Sequence, residues 1–198
     1  MYQFLETIAI TPEGAKNLEL HQKRVNRVYS EFFPEEIAFQ LRDIIKDAKS
    51  TGVEKCRIIY GGGDISVSRE AYLPKWHRSF RLVRANSLDY AHKYLDRTRI
   101  ELLLNGIMAD DIIIVKDDYI TDSSYANLLF LKNGKWYTPE KPLLQGTMRQ
   151  LLLDTGVIHT RAIHFEQVMD YEAVLTINAM LGFCPEKASS VRNILSFL

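Results

Sequence analysis

The chain lacks most of the features that tie a sequence to a special environment. Its 198 residues contain two cysteines, Cys56 and Cys184, far apart and without CxxC spacing. That excludes a disulfide framework, and both are expected as reduced thiols of a cytosolic protein. No apolar run reaches the roughly 18 residues of a membrane span. The opening MYQFLETIAI has neither the basic start nor the long apolar stretch of a secretory leader. An excess of one charge is missing too, because 25 Lys+Arg balance 25 Asp+Glu. Nucleic acid and anionic membrane are therefore not expected as partners, since both favour a basic surplus. The one stretch that interleaves basic and aromatic residues, KWHRSFRLVR at 75–84, reads as a strand with a polar face. The five histidines show no metal-ligand spacing, repeats and low-complexity tracts are absent, and Gly61-Gly62-Gly63 lacks GxGxxG spacing, leaving a turn.

What is present is an ordinary globular composition, 46% hydrophobic and 25% charged, on a chain long enough for one domain or two small ones. The pattern predicts an α+β protein. Residues 2–10 alternate as a strand. A helix follows at 17–33, with Leu18, His21, Val25, Val28, Tyr29 and Phe32 on one stripe. A second helix is expected at 35–49, then strands at 55–60 and 78–84, making a first domain of residues 1–85. In a second domain, 86–198, a helix at 97–108 starts from Asp96 as its cap, and a strand covers 112–116. The segment YANLLFLKNGKWYTP folds back at Asn133-Gly134, the dipeptide of a type I′ turn. A helix from Thr147 stops at Gly156, a strand spans 174–177, and a helix at 191–198 closes the chain.

Four positions invite chemistry. Arg24 stands beside Leu20 and Val28 at the edge of an apolar stripe, and an inward arginine needs an anion, either an internal carboxylate or a ligand. Gln145-Gly146-Thr147 opens a helix with a glycine that permits close approach and a hydroxyl that adds a donor, which describes an ordinary capped helix or an anion cradle. Asp122 precedes a strongly apolar strand, and Lys93 precedes a helix; each alone reads as a surface charge.

Their order along the chain is informative. LHQKRV resembles an H-x-x-R-L helix, HKYLDR a K-x-x-N/D-R segment, and YITDSSYANLLFLKNGKWYTP a T-E-x-x-x-x-N hairpin ending in Y-T-P. LLQGTMRQLLL is similar to L-x-G-I/T-x-R, and VLTINAML to a closing strand and loop. Together they resemble the class IV aminotransferase family, the fold-type IV enzymes that use pyridoxal phosphate, over nearly the whole chain. The resemblance implies a two-domain fold, with a small N-terminal α/β sandwich and a C-terminal β-barrel-like domain. Lys93 would bond the cofactor aldehyde and, once displaced by substrate, move the proton at the substrate α-carbon. Asp122 would pair with the pyridine nitrogen. Arg24, Gly146, Thr147, Asn178 and Ala179 would hold the phosphate, and Arg97 would approach the cofactor phenolate. A homodimer with its active site near the subunit interface is implied as well.

Two departures stand out. The family usually has glutamate where this chain has Asp122, one methylene shorter. Members also begin with an extra strand and an active-site segment before the stretch that is here Phe4-Leu5-Glu6-Thr7, so the chain is expected to be shortened N-terminally. Within the family, the AN-L-F hairpin, the G-x-M-R-Q helix start and the NAM loop look most like 4-amino-4-deoxychorismate lyases, which release pyruvate to leave the folate precursor 4-aminobenzoate. The alternatives are transamination of a branched-chain or D-amino acid, and a truncated homologue without activity.

Overall fold

The computed structural model describes all residues except Met1, Asp47, Gly62 and Leu198. The chain divides into two compact units, one of residues up to Pro74 with His92–Asp96, the other of Lys75–Ala91 and residues from Arg97 on. The expected single cut after residue 85 differs from this at two places. β5 (Phe80–Arg84) goes with the second unit because its strand partner lies there, and His92–Asp96 returns to the first.

In the first unit, β1 (Phe4–Thr11), β2 (Gly14–Ala15), β3 (Glu54–Tyr60) and β4 (Ser66–Ala71) form a sheet in the order β2-β1-β3-β4. β1 and β3 run antiparallel, from Phe4 opposite Tyr60 to Ile10 opposite Glu54. Strand parity puts Phe4, Glu6, Ile8 and Ile10 on one face of β1. The apolar three join Cys56, Ile58 and Tyr60 of β3 and Val25 and Val28 of α1 (Leu18–Phe32) in one core. The same parity drives Glu6 into that core, where it is fully buried. β4 is exposed along its whole length. The segment 92–96 is tied to β1 by hydrogen bonds from Leu5 N to Lys93 O (2.9 Å) and from Leu95 N to Gln3 O (2.8 Å).

The helix expected at 35–49 contracts to α2 (Leu41–Ile44). The Gln22 side chain accepts from Leu41 N at 2.7 Å and donates to Phe39 O at 2.9 Å, taking backbone groups that a continuous helix would use. Ile37, which a continuous helix would place one turn before Leu41, is 96% exposed.

In the second unit, β5 pairs in parallel with β6 (Asp111–Lys116), with α3 (Thr98–Leu102) between them in sequence. α3 is shorter than the 97–108 expected, and its cap is Arg97 in place of Asp96. β6 pairs antiparallel with β7 (Tyr119–Ser123), which meets β8 (Asn127–Lys132) through a single residue pair, Asp122 with Asn127. β8 and β9 (Lys135–Pro139) form the predicted hairpin, with Asn133 and Gly134 at φ 51° and 71° as a type I′ turn requires. After α4 (Thr147–Asp154), β10 (Ile158–Arg161) runs parallel to β9. The sheet branches at β8, which also pairs with β11 (Ala173–Ile177), itself paired with β12 (Ser189–Ser190). The central strands are buried on both faces. Leu128 and Phe130 of β8 enter one core with Val174, while Leu129 enters another with Leu175, Ile177 and Leu152 of α4.

The chain end departs from expectation. A single 3-10 turn over Val191–Asn193, capped by Ser190, leads into β13 (Ile194–Leu195), which pairs in parallel with β5 and sets Ile194 in the core with Phe80. Sheet pairing there satisfies backbone groups that a short terminal helix would leave to water. Among the described residues, no helix is long and apolar enough to cross a membrane.

Candidate active site

In the first unit, Arg24 and Glu6 meet where α1 packs on β1. Arg24 Nε donates to Glu6 Oε1 at 2.7 Å and Nη2 donates to Oε2 at 2.6 Å, a bidentate pair. His21, one turn earlier, lies 2.5 Å from Glu6 Oε2 through Nδ1, and all three side chains are buried. Burial pushes the Glu6 carboxyl up, but the charge and hydrogen bonds of Arg24, with the hydrogen bond of His21, outweigh it and hold it at about 2. Burial also pushes the His21 imidazole below its ordinary value, and the pull of Glu6 does not reverse that. The pair is therefore a neutral histidine whose Nδ1–H donates to an ionised carboxylate. So the anion that the inward arginine demanded is, in the first instance, Glu6.

Lys93 lies in the same unit, on the segment that pairs with β1 through Tyr94 opposite Phe4. It is near enough to His21 for its charge to help depress the imidazole. His92 anchors this segment. It is buried, faces Glu31 at 3.1 Å, and its ring meets Phe32 edge-on at 4.9 Å.

In the second unit, Asp122 and Gly146 meet at Asn127, with Thr147 following Gly146 and Asn178 following Ile177, the strand partner of Asn127. Asp122 sits at the one-pair junction of β7 and β8 and is 5% exposed. Its Oδ1 accepts from Asn127 Nδ2 and its Oδ2 from Leu144 N, both at 2.8 Å. Burial is the largest influence on this carboxyl and raises it to about 6, despite those hydrogen bonds and the charge of Arg149. Asn127 Nδ2 also donates to Leu144 O at 2.9 Å. Gly146 is the N-cap of α4 and is required there, since a Cβ would stand 1.9 Å from Asn127 Oδ1. It offers no side chain to cap the helix, and the first turn of α4 carries no acidic residue. Thr147 is the first helical residue and is buried.

Arg149 braces this corner from beneath. Nη2 donates to Pro139 O (2.9 Å), Nε to Thr138 Oγ1 (3.2 Å) and Nη1 to Gln145 Oε1 (3.0 Å), locking α4 to the end of β9. Asn178 Oδ1 accepts from Met180 N and Leu181 N at 2.9 Å within its own loop, while Nδ2 donates to Tyr125 O at 3.5 Å; Ala179 opens that turn. Arg97 donates through Nη2 to Ser124 O at 2.7 Å, and its Nε is buried without a hydrogen-bond partner.

Each unit thus assembles its own share of the predicted residues, Arg24 and Lys93 in the first, Asp122, Gly146, Thr147, Asn178 and Ala179 in the second. Sequence reasoning overlooked Glu6 as partner of Arg24, the two roles of Asn127, and Arg149 as a brace. Strand parity in FLETIAIT was a usable signal for Glu6, since it puts the carboxylate in line with Phe4, Ile8 and Ile10.

The family model described as amino-transferase class IV matches residues 3–188. An uncharacterized protein of Haemophilus influenzae (strain ATCC 51907 / DSM 11121 / KW20 / Rd) is 35% identical over 187 residues, 92% of this chain and 100% of that protein. A crystal structure from Haemophilus somnus 129pt, described as that of a candidate 4-amino-4-deoxychorismate lyase, superposes with a TM-score of 0.87 at 36% identity, covering 92% of this chain and 98% of that one. The branched-chain amino acid aminotransferase of Escherichia coli shares the fold, with a TM-score of 0.70 at 16% identity over 98% of this chain and 76% of its own.

Proposed function

Since the chain belongs to the class IV aminotransferase family, whose members are pyridoxal-phosphate-dependent enzymes, we propose that it is a lyase acting on 4-amino-4-deoxychorismate and releasing pyruvate and 4-aminobenzoate. The observation that carries the reading is the 36% identity, over nearly the full length of both chains, to the Haemophilus somnus structure described in those terms.

The residues present suit the cofactor. A carboxyl raised to about 6 by burial inside the second unit would gain a partner in a protonated pyridine nitrogen, which would return it to the ionised form. The start of α4, with glycine at its cap and no acid in its first turn, suits a phosphate. Bound through its aldehyde to an amine, pyridoxal phosphate withdraws electrons from the carbon next to that nitrogen and makes its proton removable. Asp122 would keep the ring nitrogen protonated. Gly146 and Thr147 would hold the phosphate with backbone N–H and hydroxyl, as would the loop at Asn178 and Ala179, and Arg24 would add charge. The Lys93 amine would hold the cofactor and, once displaced by the substrate amine, would take the proton from the substrate carbon as general base. That proton would pass to the enolpyruvyl group as the bond from the ring to its oxygen breaks, so that pyruvate leaves and the ring becomes aromatic, and Lys93 would then displace the 4-aminobenzoate amine. In transamination, the alternative, the same lysine would return the proton to the cofactor side. A cytosolic homodimer belongs to the same reading, and sedimentation velocity measures its stoichiometry.

The test is the absorbance of the purified chain with pyridoxal phosphate, beside Lys93→Ala. Wild type is expected to develop a band near the visible edge that borohydride fixes to Lys93, and the variant is expected to lack it. With 4-amino-4-deoxychorismate, pyruvate and 4-aminobenzoate should appear in equal amounts without a 2-oxo acid acceptor. A requirement for the acceptor favours transamination, and absence of the band removes both enzymatic readings.

A further inference from the structure

We infer that Asn127 is a positioning residue that locks the Asp122 carboxylate and the head of α4 into one frame, so that the ring-nitrogen contact and the phosphate grip cannot move independently. The inference rests on the proposed function for the identity of the ligand, but its geometry stands by itself.

Three chain segments converge on this one side chain. Nδ2 donates in two directions, to Asp122 Oδ1 at 2.8 Å and to Leu144 O at 2.9 Å, which uses both of its protons. Leu144 N closes the ring by donating to Asp122 Oδ2 at 2.8 Å. Oδ1 lies against Gly146, where even a methyl group would come within 1.9 Å. The Asn127 backbone is the sole register partner of Asp122 between β7 and β8, and on its other side it pairs with Ile177, the residue before Asn178. The ladder between β7 and β8 is short, one register pair and the turn bond from Ser123 N to Ala126 O at 2.9 Å, so side-chain contacts add to what holds its angle. An amide suits the task because it donates to the carboxylate without adding a charge. Asp122 already faces one buried cation, Arg149 on α4, and the backbone N–H groups of Leu143 and Leu144.

The experiment titrates the Asp122 carboxyl by carbon-13 NMR in the full chain without added cofactor, comparing wild type with Asn127→Ala and Asn127→Ser. Loss of a donor to the ionised form is expected to move the midpoint upward by about one pH unit. In parallel, pyridoxal phosphate affinity is read by absorbance. Asn127→Ala should weaken it at least about tenfold in the wild-type background and less than about threefold beside Asp122→Asn, because the amide acts through the carboxylate. An unmoved midpoint in a folded variant overturns the inference, as do equal losses in both backgrounds. If the alanine variant does not fold, the serine variant decides on the same readings. Should wild type fail to form its Lys93 band, the proposed function falls, and the NMR midpoint alone still decides the role of Asn127.

Discussion

Replacing Glu6 by glutamine probes the first unit at its most costly point. The carboxyl falls from an ordinary 4.5 to about 2 on folding, and at 1.36 kcal/mol per pH unit that difference is worth about 3 kcal/mol. The bond geometry leads to a similar figure. Removing one partner of a buried, bidentate ion pair costs roughly 3–5 kcal/mol, since the guanidinium stays behind in the core. Glu6→Gln is therefore expected to destabilise the first unit by about 3 kcal/mol at neutral pH. The sign of the pH dependence follows from the depressed carboxyl. Its contribution is complete above about 4.5 and disappears as pH falls towards about 2, so wild type and variant should converge over that window. Both tryptophans, Trp76 and Trp136, lie in the second unit, so tryptophan fluorescence is the wrong probe. Amide hydrogen exchange along β1 and α1 reports the opening that matters. A loss below about 1 kcal/mol, or a difference that stays constant from pH 5 to pH 2, would refute the argument that Glu6 is ionised and paired in the core.

Two further substitutions probe the second unit. Asp122 has the opposite sign, because its folded carboxyl is raised from 3.8 to about 6; the stability this gives is complete below 3.8, and the cofactor-free chain should lose about 2 kcal/mol of it as pH rises from 4 to 7. Asp122→Asn should abolish that slope in pH-dependent urea denaturation. Gly146→Ala places a methyl group 1.9 Å from Asn127 Oδ1, so it should cost about 1–3 kcal/mol in thermal denaturation and weaken pyridoxal phosphate binding measured by absorbance.

The features legible in the sequence were those with local causes. Asn133-Gly134 needed only its own backbone preference to specify a hairpin, and the motif around Asp122 needed only its spacing. The misreadings share a different origin. The apolar period of 35–49 is helical, yet Gln22, on another helix, takes the backbone groups of Phe39 and Leu41. Residues 191–198 have helical composition, yet Ile194 gains more by lying beside Phe80 on β5. Asn127 belongs with these. Its partners Leu144 and Gly146 are 17 and 19 positions away in sequence, and a turn, a strand and a loop must all be in place before they meet. Arg24 lies between the two cases, because the need for an anion was plain from the helical wheel, while the identity of that anion depended on the parity of β1.

The outer strand of the first unit has a consequence for the chain in crowded solution. β4 is open to solvent over Ser66–Ala71, and an open edge offers a row of hydrogen-bonding groups on which a foreign strand can grow. Arg69 reaches back to Glu54 at 2.7 Å and Glu70 to Lys55 at 2.6 Å, so both faces of the edge carry charge. A strand arriving there would have to strip water from two ion pairs before gaining any ladder bonds. These charges, which contribute little to folding on a surface this exposed, act as guards against self-association into fibres.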